Sequence, residues 1–113
     1  MSHDFHFMIR PEMKKDIMTT ETYLHLGSLS GSIRTILALL APIIKREHKW
    51  GEQRNSGYLF VRSENGEELS SVHVFLEERE YRQLKMLHHD LDFFSIAQLV
   101  RFLIGVYLEL YSI

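Results

Sequence analysis

The chain predicts a mainly α-helical domain carrying a short antiparallel β-ribbon, with residues 1–113 forming one unit of structure. Three observations lead there. Two short stretches, 5–9 and 72–76, place aromatic, β-branched or leucine side chains at every second position, as a strand with one buried face does. Each is followed by residues apolar at helical spacing. The two stretches fall into register, without a gap, when residue n is set over residue n+67. The chain therefore reads as one strand-helix-helix unit used twice, in residues 5–46 and 72–113, joined by a connector at 47–71.

In the first unit Phe5, Phe7 and Ile9 alternate with His6 and Met8, and in the second Val72, Val74 and Leu76 alternate with His73 and Phe75. Residues 5–10 and 72–76 are expected to pair as an antiparallel ribbon, because a lone strand leaves its backbone groups without partners. Met13, Ile17 and Leu24, four and seven apart, predict an amphipathic helix, matched in the second unit by Tyr81, Leu84, Leu87 and Leu91. Then come "LGSLSGSIRT" and "FFSIAQLVRF", with Ser28 over Ser95 and Arg34 over Arg101. Each serine opens a second, apolar-rich helix, and Ser95 with Gln98 has the form of a capping box, which Gly31 denies to Ser28. The stripe Ile33, Ile36, Leu37, Leu40 and Ile44 matches Val100, Leu103, Ile104, Tyr107 and Tyr111, and these two helices are expected to form the core. Pro42 should kink or limit the first of them. In the connector, Tyr58 to Arg62 reads as an extra strand turned by Asn65-Gly66.

Composition narrows the class. With 113 residues, 45% hydrophobic and 25% charged, the chain suits one small core, some of whose apolar surface a partner subunit can finish. No cysteine is present, which rules out disulfides and thiolate metal sites and fits a cytoplasmic protein. No signal peptide is read in "MSHDFHFMIR", and the longest apolar run, Ile36 to Ile44, is far short of the roughly 20 residues of a membrane span. The net charge of -2 is unevenly spread. Residues 5–46 carry Arg10, Lys14, Lys15, Arg34, Lys45 and Arg46 against Glu12, Asp16 and Glu21, a balance of +3, and residues 72–113 balance to -2.

Chemistry-bearing motifs are few. There is no glycine-rich phosphate loop, nucleophile elbow or metal-binding histidine motif, so no enzyme, cofactor or metal is expected. His88-His89 is the one adjacent pair, and neighbours on a helix point about 100° apart, which makes no clamp. Arg34 and Arg101, set in apolar helices, are expected to extend along the core to a carboxylate or a carbonyl.

The repeated pattern, in "FHFMIRPEMKKDI" with "LGSLSGSIRTIL" and in "VHVFLEEREYRQL" with "FFSIAQLVRFLI", resembles the ribbon-helix-helix family, which includes the Arc and methionine repressors. The resemblance implies a tandem ribbon-helix-helix pseudo-dimer within one chain, acting as a DNA-binding transcriptional regulator. It places His6, Met8 and Arg10 with His73, Phe75 and Glu77 on the ribbon face that enters the major groove. Ser28 and Ser95 would open the helices that meet phosphate, and Lys14 and Lys15 would add salt-sensitive phosphate contacts. The residues also read more plainly: the histidines as solvated strand residues, the serines as caps, the lysines as the wet side of a helix. Met8 and Phe75 offer bases only apolar contact and Glu77 is repelled by phosphate, which keeps open a second function, a non-catalytic protein-interaction module. The expected partners are DNA or a protein, with two pseudo-dimeric chains forming a homodimer and no membrane.

Overall fold

The computed structural model describes residues 2–44 and 69–111. The expected strand at Tyr58 to Arg62 and the Asn65-Gly66 turn lie outside the described residues. Two strands, β1 (Ser2–Ile9) and β2 (Ser70–Glu77), pair antiparallel with Ser2 opposite Glu77 and Ile9 opposite Ser70. His6 and His73, which the offset of 67 sets over one another, stand directly opposite at the middle of the ribbon. Each strand runs further than its alternating stretch because pairing with a partner satisfies backbone groups whatever the side chain.

Alternation is obeyed on the inner face. Phe7, Ile9, Val72, Val74 and Leu76 are all buried, while Phe5 is half-buried and stacks near Phe7 and Tyr81. β1 ends because Pro11 follows: the residue before a proline is driven to extended backbone, and Arg10 holds φ -71° and ψ 150° as the N-cap of α1 (Pro11–Met18). Arg10 thus lies just past the strand, at the ribbon's end and not within the outer face that carries His6 and Met8.

The single first helix expected through Met13, Ile17 and Leu24 is two helices. α1 stops at Met18, and α2 (Glu21–Leu26) starts afresh from Thr20. The Thr20 hydroxyl donates to the Ile17 carbonyl at 2.6 Å and accepts from the Tyr23 N–H at 3.2 Å, closing one helix and opening the next. The break turns Leu24 outward, at 71% exposure, whereas Met13 and Ile17 are buried. α2 is held instead by a 2.6 Å hydrogen bond between the Thr22 and Tyr107 hydroxyls.

Gly27, at φ 67°, ends α2 in the left-handed conformation that glycine adopts without a Cβ clash. Ser28 then caps α3 (Leu29–Leu40), accepting from the Gly31 N–H at 3.1 Å. Pro42 acts as expected, for α3 stops at Leu40 and passes into a turn. In the second half Glu77 caps α4 (Glu78–Asp90) in a capping box with Glu80, one uninterrupted helix. Asp92, at φ 59°, makes the turn that Gly27 makes in the first half. Ser95 caps α5 (Ile96–Tyr111), accepting from the Gln98 N–H at 3.1 Å. Gln98 reaches back to the Phe94 N–H, one residue before the cap position of the expected box.

The inner ribbon face and the helices enclose one core. Ile33, Ile36, Leu37, Leu40 and Ile44 are buried, as are Val100, Leu103, Ile104 and Tyr107; the side chain of Tyr111 is outside the described residues. Burying each such aliphatic side chain contributes about 1.5 to 3 kcal/mol, against the conformational entropy of ordering it. The packing is crossed: α3 packs on β2 and α5 on β1, so the last helix of each half supports the strand of the other. Among the described residues no helix is long and apolar enough to cross a membrane.

Candidate functional site

The outer face of the ribbon is the candidate site. Side chains two apart on a strand share a face, so Asp4, His6 and Met8 line up on β1 and Ser71, His73 and Phe75 on β2. The register sets Asp4 opposite Phe75, His6 opposite His73 and Met8 opposite Ser71. Phe75 is 60% exposed and Met8 36%, flanking the histidine pair diagonally with apolar surface.

At the centre three polar side chains converge. His6 Nε2 lies 2.8 Å from Asp4 Oδ2, and His73 Nδ1 lies 3.7 Å from Asp4 Oδ1. The two imidazole centroids are 3.8 Å apart. All three residues are exposed, and one ligand-type atom from each falls within 4.8 Å of the others. Helical spacing gives no sign of this cluster, since its members lie on strands. The signal that reveals it is Asp4-Phe5-His6, two apart on a strand, with His73 at the position equivalent to His6. Strand spacing, and not helix spacing, is what brings these side chains together.

Electrostatically the ribbon has two different ends. Near Ile9, Arg10 is half-buried with its Nε lacking a hydrogen-bond partner among the described residues, and exposed Lys14 and Lys15 line a shallow depression with Met18 and Leu69. At the other end, Glu77 lies 3.8 Å from Arg34 and 3.7 Å from Arg79, and Glu78 lies 3.3 Å from Arg82. Each of these exposed carboxylates therefore has an arginine beside it.

The equivalent arginines take the two routes open to them. Arg34 donates to Glu80 at 3.0 Å, a carboxylate, and Arg101 donates through Nε to the Met8 carbonyl at 2.9 Å. Burial pushes the Arg101 guanidinium down from its ordinary value, yet arginine stays charged at neutral pH. Burial is the largest influence on Glu80 and pushes its carboxyl up, but the Glu77 N–H and Arg34, helped by Arg79, together hold it below the usual carboxylate range. The Ser30 hydroxyl donates to the His73 carbonyl. Ser30 and Arg101 thus satisfy carbonyls on both strands, tying the strands that carry the outer face to the helices beneath.

Ser28 and Ser95 are exposed, and both hydroxyls are engaged as caps. Neither stands in the central cluster, and Lys14 and Lys15 belong to its basic end. Thus the ribbon brings together His6, His73, Met8 and Phe75 and adds Asp4, while Arg10 and the lysines flank the face. No protein-family model, no curated protein and no solved structure matches the chain.

Proposed function

We propose that the chain is a cytoplasmic DNA-binding regulator, a tandem ribbon-helix-helix pseudo-dimer that presents its two-stranded ribbon to the major groove. The observation that carries this reading is the crossed packing: α3 lies on β2, α5 on β1, and the ribbon register is centred on the equivalent residues His6 and His73. Two units interlocked in that way leave one exposed antiparallel ribbon, the element that β-ribbon DNA readers use. Backbone affinity comes from the basic end, through Arg10, Lys14 and Lys15, so contacts with the duplex are lopsided.

A second reading, a protein-interaction module on the same scaffold, is favoured by one observation: Phe75 is 60% exposed beside a ribbon surface with no lysine or arginine in either strand. Fluorescence anisotropy with mixed genomic duplexes, titrated from about 50 mM salt upward, separates the two, because even non-specific phosphate contacts are strengthened at low salt. On the DNA reading the wild type binds, Arg10→Ala weakens binding and lowers the salt slope by about one, and Glu77→Gln strengthens it. No measurable affinity for any duplex at about 50 mM salt would overturn the DNA reading. Loss of protein capture in Phe75→Ser, with the fold intact, would then support the interaction module.

A further inference from the structure

We infer that Asp4, His6 and His73 form a binding site for a divalent transition-metal ion, with Zn2+ as its reference occupant. The inference does not rest on the DNA reading.

Geometry carries the argument. An ion held tetrahedrally with ligands at about 2.0 to 2.1 Å keeps neighbouring ligand atoms about 3.4 Å apart. His6 Nε2 lies 2.8 Å from Asp4 Oδ2 and His73 Nδ1 lies 3.7 Å from Asp4 Oδ1, so the two rings address different oxygens of one carboxylate, and the carboxylate must turn for one oxygen to serve both. No pair of the three ligand atoms is more than 4.8 Å apart. All three side chains are exposed, so rotation about side-chain bonds closes the remaining gap without moving the backbone. The backbone itself is set by the ribbon: Asp4 and His6 share a face two residues apart, and His73 stands opposite His6.

Donor chemistry selects the class of ion. Two imidazole nitrogens with one carboxylate oxygen suit zinc and its first-row neighbours, whereas magnesium and calcium prefer oxygen alone. The carboxylate lies within reach of both rings, so it supplies negative charge where the cation would sit. Three protein ligands leave a fourth position for water. The ion would also join β1 to β2 and so link the two halves of the chain through residues far apart in sequence. Binding to the folded state alone raises its stability.

The test uses the full chain, free of any histidine tag and stripped with chelator, titrated calorimetrically with ZnCl2 alone. One ion per chain is expected. His6→Ala and His73→Ala should each weaken binding by at least about tenfold, since losing even the outer-shell partner of a ligand costs that much. His89→Ala, on α4 and away from the ribbon, should bind as the wild type does. Zn2+ should raise the melting temperature of the wild type and not of His73→Ala, and Mg2+ should raise neither. Asp4→Asn keeps the side chain's size and removes its charge, so it should also weaken binding and serves if a histidine variant melts early without metal. The absence of one-to-one binding overturns the inference and leaves the three residues an ion-paired cluster. Equal affinity in the wild type, His6→Ala and His73→Ala overturns it by placing the ion elsewhere.

Discussion

Leu24 and Leu91 occupy equivalent positions under the offset of 67, but they should respond very differently to truncation. Leu91 is 5% exposed, within the core, and Leu24 is 71% exposed on α2. Leucine to alanine removes three carbons, worth about 2.4 kcal/mol of transfer free energy at about 0.8 kcal/mol each when fully buried. Leu91 loses nearly all of that and also leaves a cavity, so Leu91→Ala should cost about 2 to 5 kcal/mol. With less than a third of its surface covered, Leu24 should lose less than about 0.7 kcal/mol on the same scale. Urea unfolding followed by far-ultraviolet circular dichroism reads both, with the midpoint moving at constant slope if only stability changes. On heating, Leu91→Ala should melt roughly 8 to 20 °C below the wild type, taking about 4 °C per kcal/mol for a domain of this size. Equal destabilisation by the two substitutions would refute the reasoning. It would mean that α1 and α2 join into one helix with Leu24 on the core, as the apolar spacing alone predicts.

Two further outcomes follow from the packing and the charges. Leu37→Ala and Ile104→Ala, in α3 and α5, should each cost about 2 to 5 kcal/mol, and thermal melts unchanged in both would place these residues at the surface. Glu80 has its folded-state carboxyl held below the usual range, so its contribution to stability is present above that range and is lost as pH falls through the depressed value. Urea midpoints measured from about pH 6 to about pH 3 should therefore fall less steeply in Glu80→Gln than in the wild type. An identical acid limb in the two proteins would show that Glu80 is not linked to folding.

Much of this fold is legible in the chain because the signals are local. Alternation in 5–9 and 72–76 names two strands and their inner faces, since period two is a property of extended backbone itself. Ser28 and Ser95 name helix starts, and Pro42 limits a helix, because caps and prolines act within one turn. The offset of 67 places His6 over His73, but it sets Phe7 over Val74 just as well, so which equivalent pair stands opposite is decided only when the strands pair.

What tertiary structure decided is what depends on which surfaces meet. Leu24 has the right spacing for a buried helix face, yet Thr20 offers its hydroxyl to two backbone groups and breaks the helix before Leu24 arrives. The arginine of each half reaches its own kind of partner, Glu80 for Arg34 and the Met8 carbonyl for Arg101, a choice made by residues about 46 and 93 positions away. The crossed support of β2 by α3 and of β1 by α5 is likewise a matter of three-dimensional closure. The Asp4, His6 and His73 cluster lies between these extremes. Strand spacing by itself puts Asp4 beside His6, but only pairing across the ribbon brings His73 to the same carboxylate, because a ligand set needs its donors close in space and sequence specifies that closeness only along one strand.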